Sequence, residues 1–240
     1  MKKTAFCALI LAFILPILSC NTLITGATAE PTEQNSNATQ KPTRTILPAK
    51  TTAPWDVSFP PREIGPADAK VVVEIFSDFQ CPWCGFFAQG PEAKLRDHYV
   101  ARGTVRYIYR NLPVVDSFMA NGMESHDAAM AALCAGDQGQ FWVYHDALFR
   151  NQAETENSGN FSRPRLYALA VQLKLDGIAF EKCMGDQAHN NVIDGDSYLA
   201  TTLGINATPS FLVNGRQVEI TTNDFQQLFD TIDSDLLAQG

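Results

Sequence analysis

The rhythm of apolar and polar positions changes several times along the chain, and each change marks a boundary. An unbroken apolar run, residues 5–19, follows the basic start Met1-Lys2-Lys3. From Asn21 to about Pro54 large apolar residues are scarce, and Thr, Asn, Ala, Gln and Pro dominate. Such a stretch buries too little surface to repay the entropy of ordering and reads as a flexible tether. Val71-Val72-Val73-Glu74-Ile75-Phe76 is a continuous β-rich run, suited to a central strand covered on both faces. After a short loop, residues 77–80, Pro82 suits the first turn of a helix. A helical pattern then passes through Phe86, Phe87, Leu95 and Tyr99, with a kink expected at Gly90-Pro91. Residues 104–109 alternate as a second strand. The region from about 120 to 203 is helix-rich, most clearly over 124–134, 141–150, 163–173 and 180–183. β pattern returns over 210–213 and 216–220, and Asn214-Gly215 between them is a strong hairpin signal. A last helix is expected over roughly 222–237.

The order is therefore strand, helix, strand, helical insert, hairpin, helix. A first strand–helix–strand unit is expected to be parallel with a right-handed crossover. The hairpin then completes one mixed sheet, with helices packed against it. The pattern predicts an α/β domain over residues 55–240, split by a helical subdomain at about 120–203 and large enough for one sizeable core.

Composition narrows the class. The chain has 240 residues, 45% of them hydrophobic, and a formal net charge of −8. That balance argues against a nucleic-acid partner, which requires a basic face. The apolar run at the start is short for a membrane span, which needs about 20 residues, and fits a secretory signal. It ends Ile17-Leu18-Ser19-Cys20, similar to a bacterial lipoprotein cleavage box with Cys20 as the lipidated first mature residue. The expected organisation is a signal at 1–20, a tether at 21–54 and an extracytoplasmic domain held to a membrane by lipid, in a periplasm or at the outer face of the cell. An ordinary signal cut after Ala27 or Ala29, or an uncleaved anchor, is the alternative.

Six cysteines divide by position. Cys7 lies in the signal and Cys20 at its end, leaving Cys81, Cys84, Cys134 and Cys183 in the domain. An even number in an exported protein fits disulfide use. Zinc is the competing idea, because Cys81 and Cys84 have metal-ligand spacing. Structural zinc sites usually draw on two close pairs, whereas Cys134 and Cys183 are isolated. No metal and no separate cofactor is expected. The reacting group is the Cys81–Cys84 disulfide itself.

Cys81-Pro82-Trp83-Cys84 sits where the first strand hands over to its helix. A thiol at a helix start faces unpaired N–H groups and the positive end of the macrodipole, both favouring thiolate. At an ordinary pKa near 8.5 only about 3% of a thiol is ionised at pH 7, and a drop of about three units ionises almost all of it. Cys81 is the expected exposed nucleophile, and Cys84, one turn further in, the resolving thiol. Spacing of three residues brings both sulfurs to one side of the helix. A structural disulfide or two idle thiols is the bland alternative.

Ser77-Asp78-Phe79-Gln80-Cys81-Pro82-Trp83-Cys84-Gly85 resembles the active-site segment of the DsbA-like thioredoxin proteins of bacteria. Ala207-Thr208-Pro209-Ser210-Phe211 resembles their second signature, and residues 138–149 resemble a helix common in their insert. The resemblance runs from about Gly65 to the C-terminus and implies a thioredoxin-like fold. It implies a cis peptide before Pro209, with the backbone around Thr208 free to pair with a substrate strand, although Thr-Pro could equally open an ordinary strand. It implies a role for Glu74 as proton acceptor for Cys84, against the alternative of a residue pointing to solvent. A second disulfide between Cys134 and Cys183 is likewise implied, with two free buried thiols as the alternative. The partners implied are exported cysteine-containing proteins and a quinone-linked membrane protein of the DsbB or VKOR kind that reoxidises the pair. The expected activity is protein disulfide oxidation. A reductase or isomerase is the alternative within the class, and a lipid-anchored module binding clients or metal without turnover is the alternative outside it.

Overall fold

The computed structural model describes residues 60–239. The expected signal, Cys20 and the tether lie outside the described residues.

A short 3-10 turn, Pro60–Arg62, leads into the two-residue strand β1, Glu63–Ile64. Strand β2, Val71–Ser77, forms the middle of the sheet, and helix α1 follows it over Pro82–Gln89. Gly90 stops that helix, and Pro91 opens α2, Pro91–Lys94, which runs on as a wider π-type turn over Leu95–Val100. The expected kink therefore separates two helical pieces. Strand β3, Val105–Asn111, lies parallel to β2 from Val71 opposite Val105 to Ser77 opposite Asn111. Then come α3 (Val114–Ser117), α4 (Glu124–Gly136), α5 (Phe141–Arg150), α6 (Arg163–Gln172), α7 (Gly177–Asp186) and α8 (Asn190–Thr202). Strands β4 (Ser210–Val213) and β5 (Arg216–Val218) form the expected hairpin, and α9 (Gln226–Ala238) ends the domain. Asn214 and Gly215 carry φ of 49° and 73°, as a two-residue turn matched to the strand twist requires.

The sheet order is β1-β3-β2-β4-β5, with β2–β3 parallel and the other pairs antiparallel. This mixed five-stranded sheet with flanking helices and a helical insertion is the thioredoxin-like fold. Alternation along β2 feeds two cores. Val71, Val73 and Ile75 enter the larger one with Phe87, Tyr107, Phe211 and Phe229. Phe76 enters a smaller one with Leu112, Ala200, Ile205 and Leu212. Coverage on both faces is why this strand is almost wholly apolar.

Within the insert, α4 is nearly enclosed, with residues 128–136 all buried. Its alanines let neighbouring helices approach closely. Asp176 caps α7 by accepting from the Ile178 and Ala179 N–H groups at 2.9 and 3.1 Å. A disulfide joins Cys134 of α4 to Cys183 of α7, with Cα atoms 5.8 Å apart. Behind the smaller core, buried Asp196 of α8 pairs with Arg62 and Arg110 and accepts the Asn111 N–H at 2.9 Å. No helix among the described residues is long and apolar enough to cross a membrane.

Candidate active site

The strand-to-helix handover sets the cysteine pair. Cys81 is the N-cap residue of α1 with extended backbone, and Pro82 occupies the first helical turn. Its own N–H donates to Asp78 O at 3.1 Å, and Gly85 N–H returns to Cys81 O at 3.1 Å. The preceding loop is tied down from two sides. Gln152 Nε2 donates to Phe79 O and Cys81 O, both at 2.9 Å. Gly85 leaves room for that amide, because a Cβ there would collide with Gln152 Oε1. Gln80 donates to Ser125 Oγ at 2.9 Å and accepts the Asn157 N–H at 2.6 Å, pinning the loop to the insert. Phe79 stacks on Tyr109 with ring centres 5.2 Å apart.

The two sulfurs stand in different surroundings. Cys81 is 8% exposed and Cys84 1%, so the outer thiol is less open than its position at the helix start implied. The Cys84 thiol, opposed by burial and helped by Thr208 and the N–H groups of Cys84 and Trp83, pulls the Cys81 pKa down to about 6. Burial pushes Cys84 well up, and the neighbouring Cys81 adds to the shift. One proton therefore rests on Cys84 while Cys81 ionises. This split sets an ionisable outer thiol against a protonated inner one.

Pro209 follows a cis peptide, and the Thr208 carbonyl lies 3.3 Å from Cys81 Sγ. The expected substrate loop and the expected nucleophile are thus in contact. Trp83, Thr208, Pro209, Thr222 and Phe225 are among the residues lining an adjoining cleft of about 220 Å³. Trp83 and Phe86, both half-exposed, pack edge to face beside it.

Glu74 is not at the pair. Alternation puts it on the other side of β2 from Val73 and Ile75, in an ion pair with Arg110 at 2.7 Å. Cys84 packs within the core on the Val73 and Ile75 side, so the expected contact between Glu74 and Cys84 is absent. A continuous apolar run carries no alternation from which to tell the two faces apart. Asp78, whose backbone N–H faces Cys84, carries its carboxyl into the loop that precedes the pair. It is buried and accepts the Gln80 N–H at 2.8 Å and the Val115 N–H at 2.9 Å. Desolvation outweighs these bonds and raises its pKa to about 7. The Asp78 N–H and the Ser77 hydroxyl both favour charge on Cys84. Ser77 Oγ, Tyr109 OH and Thr208 Oγ1 are buried atoms without an ordinary hydrogen bond among the described residues. The Thr208 hydroxyl favours charge on Cys81 as the Ser77 hydroxyl does on Cys84. Both residues lie in the two segments that mark the site in the sequence, but nothing there assigns a role to their hydroxyls.

Fold and site together define the class of thioredoxin-like proteins that carry a cysteine pair at the start of the first helix. A family model described as Thioredoxin matches residues 60–233, and the chain belongs to that family. Na(+)/H(+) antiporter NhaA 3 of Salinispora tropica is 35% identical over 153 residues, which are 64% of this chain and 21% of that protein. The chain thus spans about a fifth of the length of that relative. The probable disulfide bond formation protein D of Bacillus anthracis is 27% identical over 73% of this chain and 78% of that protein. The crystal structure of oxidised BdbD from Bacillus subtilis superposes with a TM-score of 0.64 at 26% identity, covering 73% of this chain and 92% of that one.

Proposed function

We propose that the chain is an exported oxidase that introduces disulfides into extracytoplasmic proteins through Cys81 and Cys84, without a separate cofactor. The observation that carries this reading is the unequal pair, with Cys81 lowered to about 6 and Cys84 raised. A well-stabilised thiolate favours the reduced form and so makes the disulfide a stronger oxidant.

In the proposed cycle, a client thiolate lying along the Thr208–Pro209 backbone attacks Cys81 Sγ of the oxidised pair. The Cys81–Cys84 bond breaks and Cys84 leaves with the electron pair. Cys84, whose pKa is raised well above the ordinary thiol value, then takes up a proton. A second client thiolate attacks the client sulfur of the mixed disulfide and expels Cys81, the better leaving group of the two. The client gains one disulfide and the pair gains two electrons. A quinone-linked membrane protein takes those electrons and restores the disulfide. The basic and apolar start of the chain and the cleavage-box pattern at Cys20 support export and a lipid anchor.

Equilibration of the chain with glutathione, alongside refolding of a reduced client, tests the direction. The expected potential lies at roughly −120 to −220 mV, with net client oxidation. A value near about −270 mV, with negligible oxidation, would move the assignment to reductase.

A further inference from the structure

Away from the active pair, metal-binding side chains converge where α4, α7 and the start of α8 meet. One ring nitrogen of His189 and the sulfurs of Cys134 and Cys183 all lie within 4.8 Å of one another. Asp137, next after α4, stands 2.8 Å from His189 Nε2 and 3.5 Å from Cys183 Sγ through its Oδ2. We propose that reduction of the Cys134–Cys183 disulfide opens a zinc site in which Cys134, Cys183 and His189 are the ligands. Asp137 holds the imidazole through Nε2.

The chemistry of the donors selects the ion. Two thiolates and a neutral imidazole are a set that Zn²⁺ prefers over harder cations. A carboxylate on the ring nitrogen that does not bind the metal is a recurrent support for zinc-bound histidine, and Asp137 on Nε2 gives it with Nδ1 as the ligand. The oxidised pair offers no thiolate, so the site exists only in the reduced state.

The geometry does not depend on the disulfide alone. Gln187 closes α7 in the left-handed conformation, and the Ala188 N–H returns to Cys183 O at 3.1 Å. That turn brings His189 back beside Cys183. Cys134 and Asp137 are three residues apart at the end of α4, so helix geometry sets their spacing. Buried Leu133, Phe180 and Met184 belong to the core that packs α4 against α7. On reduction the sulfurs need to part to roughly 3.8 Å, the separation of two 2.3 Å Zn–S bonds at a tetrahedral angle. Cys183 is half-buried and Asp137 exposed, which gives the ion a path from solvent.

The balance is explicit. An added dithiol gives two electrons and two protons to the disulfide and becomes a disulfide itself. Two thiols form at positions 134 and 183. Zinc binding then makes two Zn–S bonds and releases two protons. A second cluster, Glu92, His145 and Asp146, is less suited to a cation, because the Arg96 guanidinium already pairs with both carboxylates.

The test uses the full chain with Cys7→Ser, Cys20→Ser, Cys81→Ser and Cys84→Ser, so that only Cys134 and Cys183 remain. Zn²⁺ is titrated against a chelating indicator before and after reduction, and Co²⁺ is added as a spectroscopic probe. The expected result is one equivalent bound by the reduced chain and none by the oxidised chain. His189→Ala should weaken binding at least tenfold. Cobalt should give a thiolate charge-transfer band that disappears on reoxidation, and zinc should raise the melting temperature of the reduced chain. Equal binding by the oxidised chain, unchanged affinity in His189→Ala, or no binding by a reduced chain that keeps its helical circular dichroism would each overturn the proposal. So would a loss of helical signal on reduction that zinc does not restore.

Discussion

Cys81 and Cys84 lie three residues apart across the first turn of α1, whereas Cys134 and Cys183 are 49 residues apart and come from two packed helices. At the first pair the two sulfurs are made unequal, one served by helix N–H groups and the Thr208 loop, the other enclosed. At the second pair the sulfurs are joined, and their bond ties α4 to α7 inside the insert. Thiol chemistry therefore follows the surroundings of the sulfur rather than the residue type. Inequality suits exchange, and a cross-link over a long loop suits stability.

The largest effect expected from breaking this contrast is on turnover. Cys81→Ser should lower client oxidation by at least about a thousandfold, because the group that forms the mixed disulfide is gone. Cys134→Ala with Cys183→Ala should leave oxidation within a few-fold in the same assay. A comparable loss in the second variant would abolish the division of labour.

Next in size is stability. Removing the Cys134–Cys183 link frees a long loop in the unfolded chain, and the chain-entropy model puts the loss at about 4 kcal/mol. Denaturant titration of the oxidised double variant checks this, and an unchanged midpoint would contradict it.

A smaller effect concerns pH. Asp78 holds its proton more tightly when folded, with its pKa raised from 3.8 to about 7 by burial. The folded state then binds more protons than the unfolded one across that window. Its contribution to stability is complete below the unfolded value and is lost as pH rises through about 7, with a slope of up to about 1.4 kcal/mol per pH unit. Asp78→Asn should flatten the stability profile between those limits, as chemical denaturation at a series of pH values would reveal. An unaltered slope would assign the pH dependence to other groups.

The smallest effect separates the two sulfurs of the active pair. Alkylation of the reduced chain should reach Cys81 before Cys84, with a midpoint near 6. Thr208→Val removes the hydroxyl and should slow labelling at pH 6 by a few-fold, since even half a pKa unit changes the thiolate fraction by only about that much. Mass mapping that finds Cys84 labelled first would reverse the roles.

Local signals carried much of the fold. Pro82 opening α1, Gly90-Pro91 breaking the helical run and Asn214-Gly215 turning the hairpin each act within a few residues, and each lies where the pattern put it. The misses have physical reasons. Helix α8, Asn190–Thr202, lies in the region expected to be helix-rich but outside its clearest segments, because it is rich in Asn, Asp, Gly and Thr, which are weak helix formers. It forms because Val192, Ile193, Asp196 and Ala200 bury against the rest of the domain. Strand β1 is two residues long and exists through its pairing with Ile108 and Tyr107. α9 begins at Gln226, later than expected, because Phe225 takes a left-handed φ of 55° while its ring packs on Phe87 and Phe211.

The handover from strand to helix at Cys81 can be read from the chain alone, because a β-rich run, a short loop and a proline at a helix start are all local choices. Most of the order of elements is legible in the same way, and the thioredoxin-like class follows from the resemblance of the segments around Cys81 and Pro209. Packing alone settles that Glu74 faces Arg110 and that the Asp78 carboxyl is buried on Gln80 and Val115, while the approach of Thr208 to Cys81 across 127 positions is implied by the resemblance. Packing likewise decided that His189 and Asp137 gather around the second pair. Facing, burial and long-range proximity depend on which elements pack together, and no window of neighbouring residues contains that information.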